Sequence, residues 1–395
     1  MKKMTVALIL SVVVSLAAGR PAAGEQADAG KPRTEFKGPV KVFILAGQSN
    51  MEGHGGIRTI NELGAHPTLG NLLKKIKKDD GSFVVRDDVF VSYLRGADKV
   101  KRPLTVGQGI NQDYIGPELM FGIDMGDYYK EPVLLIKTCW GGHTLFGHFR
   151  SPSAGKPAYD TGDWPKPENV GESYRKMVKE VRECLANLDT DFPQLKGMKT
   201  EISGFVWFQG WNDMCSGKKE VFDEYCSNFV HLVQDLRKEF NVPNMPAVVG
   251  ELGVGGENVD KNNLDFRAAQ AKLATCPELK GTVGYVRTAP FWYPALDELP
   301  GKLDTEERRV RKAAGEKVKE QMKDKPESKD SKKMEQLVQE AGDKALEADV
   351  DYQKVKKEHD GVISHWGCHY QGSARVYALV GYGLAEAMKP LLKKE

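Results

Sequence analysis

The chain has 395 residues and a formal net charge of +2. A nearly balanced charge gives no electrostatic case for binding nucleic acid or acidic membrane surfaces. The length suits one large α/β domain or two small ones, and six cysteines without a CxxC pair give no metal-binding or dithiol redox signature.

Lys2 and Lys3 precede an apolar run from Val6 to Ala18, and small residues follow to Gly24. This is the layout of an export signal, residues 1–24, with cleavage expected between Ala17 and Gly24. The run is too short to span a bilayer comfortably, and no later stretch is apolar enough to do so. The mature protein is therefore expected to be secreted or periplasmic, with no membrane span. Residues 25–38 read as a polar tether, leaving 39–395 as the folded domain.

The first strand expected is Val40–Ala46, an apolar and β-branched run that leads directly into Gly47-Gln48-Ser49-Asn50-Met51. Such a run reads as a buried parallel strand. Ligands of open α/β sheets bind beyond the carboxyl ends of such strands, where Ser49 stands. Val89–Leu94 reads as an edge strand. Polar Asn111 and Gln112 precede Gly116-Pro117-Glu118 and are candidates for lining a substrate pocket. Val133–Thr138 is a third strand, followed by Cys139-Trp140-Gly141-Gly142-His143, whose glycines expose backbone N–H groups. Apolar residues from Tyr174 to Leu188 recur with helical spacing. Ile202–Phe208 is a further strand, ended by Gln209-Gly210-Trp211-Asn212-Asp213, and Val221–Phe240 is a second amphipathic helix. Ala247–Glu251 and Thr282–Arg287 complete the strands. Their alternation with helices argues for a parallel sheet covered on both faces.

From about 299 to 359 the chain is rich in Lys and Glu but keeps a helical apolar period. It reads as an inserted charged helical hairpin with a turn near Pro326. A final helix carries Val376, Leu379, Val380, Leu384 and Met388 on one face, and His369 stands just before it. His365, Cys368 and His369 lie close together, but His359 is the sole nearby addition to that ligand set. No metal is expected there.

A serine hydrolase needs a nucleophile, a histidine base, a group that orients the histidine and donors for the oxyanion. Ser49 and His369 supply the first two. No Gly-x-Ser-x-Gly elbow surrounds Ser49. The block Ile44–Met51, Gly116-Pro117-Glu118-Leu119, Trp140–Leu145, Trp207–Asp213 and His369-Tyr370 with Gly372-Ser373-Ala374 together resemble the SGNH hydrolase superfamily. More closely, they resemble its sialate O-acetylesterase-like branch, which includes carbohydrate esterase family six.

The resemblance implies a three-layer, flavodoxin-like fold with a central parallel sheet. It also implies cofactor-free removal of O-acetyl groups from a carbohydrate partner. Ser49 would attack and His369 would act as base, with Ser49, Gly142 and Gln209 forming the oxyanion hole. Gln48, Asn50, Asn111, Gln112, Glu118 and Trp211 would face substrate. In the wider superfamily an acid stands three residues before the histidine, where this chain has Trp366. Some family-six-like members carry Glu directly after the Gln-Gly pair, where this chain has Trp211. Asp213 is then the first candidate for the orienting acid, with Asp360, Glu251 or a dyad helped by a backbone carbonyl as alternatives. The rival functions are a general carboxylesterase on the same fold and a non-catalytic glycan-binding protein.

Overall fold

The computed structural model describes residues 36–96, 98–157 and 165–392. The export segment, 1–24, and residues 25–35 of the tether lie outside the described residues. The apolar run near the start forms β1 (Val40–Gly47), buried at every position but Lys41. Two minor strands, β2 (Gly55–Gly56) and β5 (Tyr114–Ile115), pair antiparallel with each other. The main sheet adds β3 (Val89–Arg95), β4 (Asp98–Pro103), β6 (Val133–Cys139), β7 (Thr200–Phe208), β8 (Ala247–Gly250) and β9 (Val283–Val286). Its order is β4-β3-β6-β1-β7-β8-β9. The β3–β4 pairing is antiparallel and the others are parallel.

β3 was expected at the edge, but β4 lies outside it. The sequence of β4, Asp-Lys-Val-Lys-Arg-Pro, has no apolar run to announce a strand. Charge and proline are what an exposed edge uses to discourage further pairing.

Side-chain alternation explains why both faces are covered. Phe43 lies opposite Gly204 in register. Phe43 meets Phe121 of the helix Glu118–Tyr128 edge-on, with ring centroids 5.3 Å apart. A Cβ on Gly204 would come within 2.7 Å of Met388 Cε, on the helix Ala374–Leu392. The next residue, Phe205, points to the opposite face. There Phe205 and Trp207 pack on Phe229 of the helix Lys219–Glu239, at 6.4 and 6.1 Å. The result is an α/β architecture with a mostly parallel central sheet and flanking helices, as expected.

The charged stretch is more elaborate than a hairpin. Helices Ala295–Met322 and Ser331–Ala348 are joined through a 3-10 turn at Pro326–Lys329, and a third helix, Val350–Val362, follows. Val310, Leu346 and Tyr352 form a small core of their own, with Leu303 and Ala345 packed against it. The ion pairs Arg309–Asp349 and Arg311–Asp343, each at 2.8 Å, link its helices. Among the described residues, no helix is long and apolar enough to cross a membrane.

One charged side chain is built into the sheet. Lys137 of β6 is fully buried, as is Glu118 beside it. Lys137 Nζ donates to Glu118 Oε2 at 2.9 Å, to Gln108 O at 2.9 Å and to Glu52 O at 3.0 Å. It also lies 4.5 Å from the centroid of the Tyr93 ring. Removing one partner of such a pair strands the other charge in a dry interior. Lys137→Met is expected to lower unfolding stability by about 3–5 kcal/mol in urea denaturation. A change below about 1 kcal/mol, the usual yield of a surface pair, would show that the pair is not desolvated.

Candidate functional site

Gly47, the last residue of β1, pairs with Cys139 on one side and Phe208 on the other. Three neighbouring strands therefore end at one level. The residues that leave them are Gln48-Ser49, Trp140-Gly141 and Gln209-Gly210. A Cβ at Gly47 would fall 2.1 Å from Phe208 O, so this junction requires glycine. The chain then turns into the short helix Ser49–Glu52, with Ser49 at its start and 9% exposed. The Met51 and Glu52 N–H groups donate to Gln48 O at 2.7 and 2.9 Å. The Ser49 N–H stands in the first turn, where no carbonyl of the helix can reach it.

The residues flanking Ser49 are clamps. Gln48 Nε2 donates to Asn212 Oδ1 at 2.8 Å. Gln48 Oε1 accepts from Gln209 Nε2, Gly210 N and Asn212 N, at 3.2, 3.2 and 3.3 Å. Asn50 Nδ2 donates to Cys368 O at 3.2 Å, and Asn50 Oδ1 accepts from Tyr377 at 2.8 Å. Tyr377 also donates to His369 O at 3.5 Å. Gln48, Asn50 and Glu118 were expected to face substrate. Instead, their polar atoms are engaged inside the fold, where they set the Ser49 turn against its neighbours. Asn111 and Gln112 are exposed. Asn111 Oδ1 accepts from Asp113 N at 2.8 Å, closing its own turn. Trp211 is half-buried against the core at the start of the helix Trp211–Cys215.

Gln209 and Asp213 form the layer beneath the glycine turn. Gln209 Nε2 donates to Gln48 Oε1 and His143 O, each at 3.2 Å, and to Asp213. Its Oε1 accepts from Tyr225 at 3.0 Å. The side-chain amide expected at the oxyanion is thus turned inward. Gly142 adopts φ +78°, within the turn. Gly141 approaches Ser49 closely: a Cβ there would lie 3.8 Å from Ser49 Cβ and 3.1 Å from Glu52 Oε2. The Gly141 N–H donates to Glu52, whose carboxyl is nonetheless pushed up by burial.

Asp213 does not reach His369. Its carboxylate accepts from Leu145 N at 3.0 Å and Phe146 N at 3.2 Å, besides Gln209. Burial, opposed first by the Gln209 hydrogen bond, raises its pKa to about 6. The alternative acids are also engaged elsewhere. Asp360 meets Lys356 and the His359 ring. Glu251 Oε2 accepts from Thr288 N at 3.1 Å and Ala289 N at 3.2 Å.

His369 is instead surrounded by histidines. Its Nδ1 lies 2.9 Å from His365 Nδ1. The His54 ring stacks on it, with centroids 3.9 Å apart and planes 3° from parallel. Burial, followed by the neighbouring His365, lowers the His369 pKa to about 4. Burial lowers that of His54 to about 3, with smaller contributions from His369, His365 and Lys137. Burial lowers the pKa of His365 as well, so the cluster favours the neutral form of each ring. The backbone holding His369 is strained: Tyr370 and Gln371 have φ of +51° and +55°. Tyr370 is buried and anchors the loop by accepting from Gly253 N at 2.9 Å.

His54, His365 and His369 offer ring nitrogens within 4.8 Å of one another. Their orientation does not suit a shared metal ion. Imidazole lone pairs lie in the ring plane, and the parallel His54 and His369 rings aim theirs along separate planes, not toward one point. A wide cleft of about 1060 Å³ lies at the opposite, amino-terminal ends of the strands, lined by Lys41, Thr200, Pro246 and Thr282 among others. It contains no histidine.

A family model described as carbohydrate esterase, sialic acid-specific acetylesterase, matches residues 39–283. The match includes Ser49, Gln209 and Asp213, and ends before the charged helices and His369. A probable carbohydrate esterase of Arabidopsis thaliana is 22% identical over 266 residues, spanning 64% of this chain and 85% of the relative. The solved structure of a protein from Arabidopsis thaliana aligns with a TM-score of 0.40 at 19% identity, covering 63% of this chain and 86% of that one. A solved carbohydrate acetylesterase from Xanthomonas citri aligns with a TM-score of 0.41 at 14% identity, covering 64% of this chain and 51% of that one.

The Asp213 network makes a direct prediction. An amide at this position sets an NH2 group against either the Gln209 donor or the Leu145 and Phe146 N–H groups. Asp213→Asn is expected to cost about 1–3 kcal/mol of stability, measured by urea denaturation at pH 7. An unchanged midpoint would mean that the network rearranges without loss.

Proposed function

This chain belongs to the sialic acid-specific acetylesterase family of carbohydrate esterases, and on that premise we propose that it is an exported serine esterase that removes O-acetyl groups from carbohydrate. The approach of Gly141 to Ser49, and the bond from the neighbouring Asn50 to Cys368 beside His369, are what support a serine mechanism. The layout of residues 1–24 supports export.

In this reading Ser49 Oγ attacks the acetyl carbonyl and His369 Nε2 takes its proton. The Ser49 N–H meets the developing oxyanion beside the glycine turn. Gln209 supports that turn from below. As the tetrahedral intermediate collapses, His369 returns the proton to the departing sugar oxygen and leaves an acetyl-serine. Water, deprotonated by the same histidine, then attacks the acetyl-serine, and His369 returns that proton to Ser49 Oγ as acetate leaves. The Trp366 indole is 75% exposed at the rim beside His365, with centroids 5.3 Å apart. An aromatic face of this kind suits stacking against a sugar ring. The family description favours O-acetylated sialic acid as the first substrate to test, with acetylated polysaccharide next.

The direct test is acetate release by the mature protein from O-acetylated sialic acid and acetylated xylan, run beside short and long p-nitrophenyl esters. Ser49→Ala is expected to lower acetate release at least about a thousandfold. Activity confined to long acyl esters would indicate a general carboxylesterase. No Ser49-dependent hydrolysis of any substrate would indicate a glycan-binding protein.

A second expectation concerns pH. The base must be neutral to act. The groups facing His369 are His365 from its own turn, His54 from the loop after the Ser49 helix, and Tyr377 from the last helix. None is a carboxylate that would raise its pKa. The acid limb of kcat/KM is therefore expected near pH 4, where His369 becomes protonated, and not near the ordinary 6.5. A limb at 6.5 would show that the base is more solvated in solution or is a different group.

A further inference from the structure

We propose that His365 is the positioning residue for His369, its imidazole standing where serine hydrolases of this kind place an acid, so that the site is a Ser49-His369-His365 array. This inference rests on the serine-esterase reading. It is carried by the 2.9 Å contact between the two Nδ1 atoms. The three candidate carboxylates also have other partners.

The proposed role sets the tautomers. For His369 Nε2 to accept the Ser49 proton, the neutral ring must carry its hydrogen on Nδ1. The short contact then requires His365 Nδ1 to be the acceptor, so His365 carries its own hydrogen on Nε2. When His369 becomes imidazolium, its Nδ1–H bond to the His365 lone pair becomes charge-assisted and stronger. The proton transferred from Ser49 stays on His369 until the sugar oxygen takes it. His365 neither gains nor loses one.

The loop holds His365 as firmly as it holds His369. The His365 N–H donates to Gln371 O at 3.2 Å, and Ser364 donates to Gly372 O at 2.7 Å while accepting from Gly56 N at 3.1 Å. At Gly372, with φ +66°, a Cβ would lie 2.4 Å from His365 N, so the two strands of the loop are in direct contact. On the other side His54 packs against both rings, at 3.9 Å from His369 and 4.6 Å from His365. His369 therefore has little freedom to turn.

A neutral imidazole lacks the charge of a carboxylate, which gives the test its direction. Asn and Asp place Oδ1 the same number of bonds from Cβ as histidine Nδ1, whereas Gln places its acceptor one bond farther out. The variants are assayed in the mature protein with p-nitrophenyl acetate, with Ser49→Ala as background and thermal unfolding as the check on folding. His365→Ala is expected to lower kcat about tenfold to a hundredfold with KM within about twofold, a smaller loss than removing a triad aspartate brings. His365→Asn is expected to restore most of kcat, His365→Gln is not, and His365→Asp is expected to exceed Asn.

Native kcat in His365→Ala, against a Ser49-dependent background, overturns the proposal. So does equal impairment of folded Asn and Gln variants, a comparison that stands even if the Ala variant unfolds. Loss of native activity with a chelator and its recovery with zinc would replace the relay by a histidine-bound metal. Absence of any Ser49-dependent hydrolysis in the native protein removes the esterase reading and this proposal together.

Discussion

The site depends on a register. Gly47 stands in register between Cys139 and Phe208, and three parallel strands therefore stop together. Had β1 slipped by one residue, Ser49 would leave the sheet above or below the glycine turn, and its side chain would point to the wrong face. The register is protected by shape as well as by hydrogen bonds. The approach of Phe208 O to Gly47 leaves no space for a Cβ, so tight packing coincides with the point where the chain must turn.

Below that level the structure solves the problem of burying polar groups at a sheet edge. Gln48, Gln209, Asn212 and Asp213 satisfy one another and the backbone around them. A network of this kind stabilises only when it is complete, because each unpaired atom in it would retain its desolvation penalty. Lys137 and Glu118 play the same part on the other side of Ser49, gathering the carbonyls of Glu52 and Gln108. Residues that look like ligand contacts by type alone thus serve as mortar, and the groups left to face outward are few.

Much of this was legible in the sequence. The apolar runs ending in Gly47, Cys139 and Phe208 located the central strands because burial on both faces demands continuous hydrophobicity. They also placed Ser49 and the glycine turn at the same end of the sheet. Three things escaped. β4 has the charge of an edge and no apolar run. Gln48, Asn50 and Glu118 carry no local mark that separates a buried clamp from a substrate contact, since the distinction depends on partners as distant in sequence as Cys368. The stacking of His54 on His369 was hidden for the same reason: the two are far apart in the chain, and ring stacking leaves no periodic trace. A signal did exist for His365, four residues before His369, but the family pattern directed attention to the position three before, where Trp366 stands.

The bond from Asn50 to Cys368 joins residues 318 apart in the chain. Such a contact closes a long stretch of the polypeptide into one loop, a non-local pairing of the kind that slows folding. Loop-closure entropy grows with the logarithm of length, and doubling a long loop adds only about 0.6 kcal/mol. The three charged helices between β9 and His369 therefore lengthen the path without greatly weakening its closure, provided they fold around their own small core. The geometry of that segment is thus loosely tied to the site, whereas the final helix is tied directly to the Ser49 turn through the Tyr377–Asn50 bond.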